Sequence, residues 1–466
     1  MPNIHLAEPD LGDGLPPPQR WRAMLAVAIA IAMSVLVTSI ANIALPTIAH
    51  DMSATPAASI WVVNAYQLAV TVTLLPFASM GDIYGHRRIY VWGLAVYTMA
   101  SLVCALAPSL PVLVIGRVLQ GFGGAGIMSV NGALVRFIYP RAELGRGIGV
   151  NALVVAGSST AGPSVAAAIM SVLSWPWLFA LQVPAGIAAL WMAHKFLPQT
   201  PLAGHPFDPL SAVLNAVTFG LFITALDGVG RGQGAPTVLI EFIVSLVVGW
   251  FFVHRQYTLA APMLPVDLFR RPVFALSVAT AICAHGAQLI AFVTLPFYLQ
   301  DVSGLSPIQI GVLITPWPAA LVVMAPIAGR LADRYPAGLL GGFGLAVMTL
   351  GLLLVLLLPA RPTQIDVAWR LAVCGIGFGF FQSPNNRLII GSAPRDRAGV
   401  GGGMVSTARL LGQTTGSALV ALVFGVTHAA EGGVELGTRL AIGMAAGFAA
   451  LAMVLSTLRL RQLSGG

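Results

Sequence analysis

Arg117 and His285 lie deep inside long apolar runs of this sequence, and each carries chemistry that an apolar run does not need. A guanidinium at bilayer depth is expensive, so it faces the interior of a helical bundle and takes a partner there. Gln120 stands beside Arg117. The rival reading of Arg117 is a cross-helix tie without a transport role. His285 is the one ordinary titratable side chain near the middle of a run. An imidazole, with a reference pKa of about 6.5, suits a proton carrier. Its rival reading is a hydrogen-bonded packing histidine. Arg387 and Arg409 also fall within runs, where they either line a path or reach an interface.

A second constellation sits in a short loop, Gly81-Asp82-Ile83-Tyr84-Gly85-His86-Arg87-Arg88. Gly85 permits the positive φ of a tight turn. Asp82 is placed to pair with Arg88 or with a helix N-terminus, and breaking that contact would bias a two-state gate. Asp333 and Arg334 echo this loop later in the chain. The plainer reading is a membrane-anchoring turn. Gly157, Gly162 and Pro163 allow close helix approach and a kink. Asn42, Asn64, Tyr66, Gln67, Gln288, Gln382, Asn385, Asn386 and Arg387 are cavity candidates, because polar side chains at membrane depth face protein or water. Trp61, Phe297, Tyr298 and Phe381 are aromatic neighbours able to stack on a flat cation, or simply to pack. Nothing resembles a nucleophile–base–orienter set or a metal-ligand cluster, so neither an enzyme nor a cofactor is expected. Cys104, Cys283 and Cys374 are far apart and read as small buried hydrophobes.

These residues must be positioned by membrane helices. Of the 466 residues 57% are hydrophobic and 9% charged, too few charges to cover a soluble surface. Fourteen apolar spans are expected, at 22–46, 58–79, 89–107, 111–137, 146–171, 176–195, 208–226, 237–254, 272–299, 307–330, 337–359, 367–391, 400–427 and 437–459. An even number leaves both termini on one face. Seventeen Lys and Arg fall in loops and tails on that face and four on the other, which places both termini in the cytoplasm and the chain in the inner (plasma) membrane. The net charge of +8 therefore sets orientation; no soluble domain is present to bind nucleic acid.

The chain also repeats itself. Asp82 is echoed by Asp333, Arg117 by Arg370, Gly121 by Gly375, Asn131 by Asn385, Arg141 by Arg395 and Gly162 by Gly416, at offsets of 251–254. Such a near-constant offset marks a duplication. The organisation expected is a disordered tail over 1–20, six-helix bundles over 21–200 and 266–466, and a two-helix hairpin over 201–265.

With these motifs in view, the chain resembles the major facilitator superfamily, in its 14-helix drug:proton antiporter branch. The resemblance rests on the Gly81–Arg88 loop, on Arg117-Val118-Leu119-Gln120-Gly121-Phe122-Gly123-Gly124-Ala125, and on Gly157 with Gly162-Pro163. Trp61–Tyr66 and Ser174–Phe179 also fit. Leu295–Gln300 and Gln382–Arg387 look like exporters of quaternary ammonium and viologen-type cations. The resemblance implies an all-α fold of two pseudo-two-fold halves (6+2+6 helices) that acts as a monomer on small molecules and protons in a lipid bilayer. It ties Arg117 and Gln120 to proton movement, and the Gly157–Pro163 motif to export.

One departure matters. Cation exporters of this branch carry an aspartate where this chain has Val37, and some carry another where it has Asn64. None of the 16 acidic residues lies at the centre of a span. The first reading is a proton-linked exporter of amphiphilic or cationic molecules. The second keeps the fold and exports a neutral or anionic metabolite or antibiotic. The third is a membrane sensor or scaffold that transports nothing.

Overall fold

A computed structural model describes residues 14–140, 143–202, 206–230, 232–259, 262–332, 334–359, 362–392, 398–427 and 433–463. Among these residues the regular structure is helical throughout, with no strand. Fourteen helices are long and apolar enough to cross a membrane. The first six are α1 (Pro17–Asp51), α2 (Pro56–Tyr84), α3 (His86–Ala105), α4 (Leu110–Ile138), α5 (Gly149–Val172) and α6 (Trp177–Phe196). Then come α7 (Pro209–Val229) and α8 (Ala235–Gln256). The last six are α9 (Pro272–Val302), α10 (Pro307–Leu331), α11 (Ala337–Leu356), α12 (Gln364–Ser392), α13 (Gly403–Thr427) and α14 (Gly433–Arg459).

The helices start where local chemistry favours a start. Proline occupies the first turn of α1, α4, α8, α9 and α10, where its missing N–H costs nothing. Ser306 and Gln309 add a capping box before α10. Pro17 moves the start of α1 earlier than expected: the helix takes in residues 17–20, and Leu15 N–H donates to Ile138 O.

The first six and last six helices pack in the same pattern. In the first set α3 and α2 pack on α4, α1 packs on α5 and α6, and α3 packs on α6. In the last set α11 and α10 pack on α12, α9 on α13 and α14, and α11 on α14. The duplication extends to single residues. A Cβ on Gly123 would sit 2.4 Å from the Tyr97 backbone N, and one on Gly377 would sit 2.3 Å from that of Met348. Gly121 abuts the Tyr66 carbonyl and Gly375 that of Trp317. These contacts fix the offset at 254 in α12, so Leu371 is the counterpart of Arg117. Arg370, the counterpart expected from sequence, donates instead to Leu354 O, 2.8 Å away.

Between the sets, α2 meets α13 and α5 meets α10, the reciprocal pairs that a pseudo-two-fold requires. α7 lies against both α2 and α13, with α8 outside it. Asp208 ties this hairpin together by taking two hydrogen bonds from Arg255, at 3.0 and 3.1 Å, and others from Ser211. Burial alone would raise the Asp208 carboxyl, but the bonds from Arg255 and Ser211 outweigh it and hold it below the usual carboxylate range. A depressed folded value stabilises above the unfolded value, about 3.9, and that stability is lost as pH falls through the folded value. Asp208→Asn should therefore speed hydrogen exchange at the start of α7 at neutral pH. In the wild type that acceleration should appear only on acidification below about pH 4. Equal exchange in both proteins at pH 7 would show that the pair holds nothing.

Candidate functional site

α4 carries Arg117 into the middle of the first six helices, where the side chain is fully buried. Its Nε donates to Val62 O at 2.7 Å on α2, and its Nη1 to Gln120 Oε1 at 2.5 Å one turn along. Gln120 Nε2 donates to Ser101 Oγ at 2.8 Å on α3. The guanidinium lies over the Tyr66 ring, 4.4 Å from its centroid, and 5.7 Å from that of Phe179. Arg117 is thus held by neutral acceptors and aromatic faces. Tyr66 in turn reaches Ser34 O on α1, so the network around Arg117 links five helices.

Polar contacts between the first and last six helices occupy a defined zone. Gln67 donates to Gln413 at 3.3 Å, and the Thr71 and Thr414 hydroxyls lie 2.8 Å apart. Ser164 meets Thr315 at 2.9 Å, and Thr160 donates to Pro318 O. His50 Nε2 approaches Asp301 Oδ1 at 3.5 Å. All of these lie between mid-span and the face opposite the termini. The glycine–proline motif sits in the same zone: Gly162 abuts Ser39 of α1, and the Pro163 carbonyl abuts Gly311 of α10. Gly157, in the same helix, has open space around it.

One turn from Gln413 towards the terminal face stands Arg409, on the same side of α13. Its side chain is partly exposed, and its charge reaches both Tyr66 of α2 and His285 of α9. It therefore lies between the two sets, on the terminal side of the Gln67–Gln413 contact. Among the described residues it has no hydrogen-bonded or ionic partner.

The other expected site residues are dispersed. His285 is buried; its Nδ1–H donates to Ala281 O at 2.8 Å, and its ring stands edge-on to Phe378. Asn64 is fully buried with neither amide atom bonded, and Asn42 Oδ1 is likewise unsatisfied. Asn385 is drawn into a cluster around Arg459. Gln288, Gln382 and Asn386 are partly buried and Arg387 is exposed. The aromatic residues form no common cradle. Trp61 donates to Asp227 of α7 at 2.7 Å, Phe297 packs on Phe424, Phe381 packs on Phe378, and Tyr298 donates to Pro359 O.

At the terminal face Gly85 adopts φ +98°, as a tight turn requires. Asp82 pairs with neither Arg88 nor a distant helix end. Its partner is His86, at 3.0 Å, because i and i+4 share a helical face. Thr200 Oγ accepts from His86 N–H and also contacts Nδ1. That arrangement suits a ring whose Nε2–H points at the carboxylate. Arg87 caps the α6 terminus through His194 O, while Arg88 is exposed. Gly81 is buried against Val130. Arg334 is exposed, and Asp333 lies outside the described residues.

Sequence reading missed Arg459, counted above among the loop arginines. It is fully buried within α14 and donates to Ser277 Oγ, Asn385 Oδ1 and Ser456 Oγ. The run Leu-Arg-Leu-Arg-Gln at 458–462 looked like a basic flank; only the neighbouring Ser456 hinted otherwise.

A profile of the Major Facilitator Superfamily matches residues 27–417. The chain belongs to that superfamily. It is a multi-pass membrane protein with the fold and family of a transporter, on the side of the superfamily that includes drug transporters. It is 54% identical to the uncharacterized transporter YebQ of Escherichia coli, over 97% of this chain and 98% of that one. It is 31% identical to the riboflavin transporter RibZ of Clostridioides difficile, over 87% and 88% of the two chains. It is 28% identical to the multidrug resistance protein Stp of Mycobacterium tuberculosis, over 86% and 75%.

Proposed function

We propose that this superfamily member is a secondary active exporter of amphiphilic small molecules, acting as a monomer and driven by inward proton flow. In this reading residues 21–200 and 266–466 rock against each other, and 201–265 is the linker hairpin. The observation that carries it is the one-sided closure. Among the described residues the named polar contacts between the halves stop at mid-span, at Gln67–Gln413 and Thr71–Thr414, and in this reading a cleft opens from there towards the terminal face. The Lys/Arg bias puts that face in the cytoplasm of an inner membrane. The cleft then faces the compartment from which cargo is exported, and alternating access requires those contacts to break.

Relatives with both drug and vitamin cargoes favour an exporter whose substrate is set by details of the cleft. The neutral-or-anionic reading has its own support. Asp227 is the only buried carboxylate among the described residues, and it sits at the far end of α7 against Trp61, away from the cleft apex. Among the described residues, cationic cargo therefore meets no buried carboxylate there.

Cross-linking tests the cycle. The Thr71 and Thr414 hydroxyl oxygens are 2.8 Å apart, close enough for cysteines at both positions to form a disulfide. In a background with Cys104, Cys283 and Cys374 replaced, oxidation of Thr71→Cys/Thr414→Cys should abolish transport, and a reductant should restore it. Full transport by the oxidised, cross-linked protein would sink the rocking mechanism.

A further inference from the structure

Arg117, Arg409 and Arg459 are buried or partly buried in membrane helices, and their surroundings differ in one respect. Arg117 is fully buried and gives its donors to Val62 O and Gln120, with Tyr66 under its face. Arg459 is fully buried and gives its donors to Ser277, Asn385 and Ser456. Both are built into the wall by neutral acceptors. Arg409 has no such shell among the described residues, and it is the one of the three that remains partly exposed. It sits one turn below the Gln67–Gln413 contact, where the halves part.

A guanidinium in that position keeps five donors and a full charge. It is only partly exposed, and among the described residues no carboxylate pairs with it. Arg117, by contrast, is sealed inside the first six helices against the Tyr66 face. The Arg409 charge, with no partner among the described residues, makes the apex of the proposed cleft electropositive. At low dielectric such a field is strong, and it repels a cationic guest as firmly as it attracts an anionic one. Arg also presents a planar fork that matches a carboxylate or phosphate in bidentate fashion.

We propose that Arg409 is the anchor for an anionic group on the cargo, so that this exporter carries amphiphiles bearing a carboxylate, sulfonate or phosphate beside an apolar body. This rests on the exporter reading above and narrows its substrate class. The apolar body lies along the cleft, and the anion supplies the partner that the described residues do not give Arg409. Binding of the anion neutralises the apex, which favours closing the halves around it from the terminal side.

The test uses purified full-length protein and three probes with one ring system: 2-naphthoate, 2-naphthamide and (2-naphthylmethyl)trimethylammonium. Equilibrium binding should rank naphthoate at least tenfold tighter than naphthamide, with the ammonium compound weakest. Naphthoate binding should weaken with added salt. Arg409→Gln should erase the preference for naphthoate while leaving naphthamide binding and thermal stability near wild type. Arg409→Lys, which keeps the charge, should retain much of it. Equal binding of naphthoate and naphthamide, preference for the ammonium compound, an unchanged ranking in Arg409→Gln, or no binding of any probe up to its solubility limit would each overturn the assignment. Transport in everted vesicles separates the two claims. Gradient-dependent movement of the neutral or cationic probe without anion preference defeats the anchor and leaves the exporter. Anion-selective binding without gradient-dependent movement of any probe defeats the exporter and leaves the anchor.

Discussion

Gly377→Ala should lower the stability of the protein sharply, and Gly123→Ala should do the same in the other half. A Cβ at Gly377 would lie 2.3 Å from Met348 N and 2.5 Å from Gly344 O, and one at Gly123 would lie 2.4 Å from Tyr97 N. Those are backbone atoms, so no rotamer change can make room, and α11 must slide on α12, or α3 on α4. Overpacking of this kind costs about 1–3 kcal/mol where side chains can yield, and more where they cannot. The higher helix propensity of alanine returns only about 1 kcal/mol. Gly157→Ala is the control. Nothing lies within 4 Å of its Cβ position, so stability should hold or rise by up to about 1 kcal/mol. Thermal unfolding in detergent, followed by tryptophan fluorescence, reads all three. If Gly377→Ala and Gly157→Ala melt together, the close approach of α11 and α12 is not what holds that half.

This contrast also shows why the fold was legible and the site only in part. Fourteen apolar runs must become helices in a bilayer, because backbone groups have no other partners there. Their number and approximate limits follow from hydropathy alone. The duplicated glycines betrayed the repeat because backbone contact tolerates no side chain at those points. The site is different. Asp82 had two plausible partners at a distance, yet His86 won by helical geometry, one turn away. Arg459 read as a loop residue because nothing in a linear sequence says that Ser277 and Asn385 converge on it. The aromatic residues Phe297, Tyr298 and Phe381 carry the right chemistry for stacking, but packing within the last six helices absorbs them. Arg409 was visible as an arginine within a span. Its lack of a partner among the described residues is a property of neighbouring helices, which the sequence cannot display.

Arg117 should prove functional rather than merely structural, and His285 provides the matched comparison. Truncation to Arg117→Ala leaves Val62 O and Gln120 Oε1 without their donor in a buried site, a loss of about 1–3 kcal/mol for each such group. It also removes the cation from the Tyr66 face, worth up to about 2 kcal/mol when desolvated. Relief from burying a charge offsets part of this. The expected result is a protein that still inserts, melts lower, and transports at less than a tenth of the wild-type rate. Arg117→Lys is the sharper probe, because it keeps the charge. An ammonium cannot lie flat on Tyr66 and bond both Val62 O and Gln120 at once. Transport by Arg117→Lys should still fall about tenfold while folding is largely preserved. A tie without a transport role would instead lower the melting temperature and leave the rate per folded molecule unchanged. His285→Gln should behave in the opposite way. A glutamine amide can take over the donation to Ala281 O, 2.8 Å away in the wild type, but it cannot titrate. Stability should hold, while the pH dependence of transport should flatten. If that dependence survives intact, His285 is a packing residue and the proton travels elsewhere.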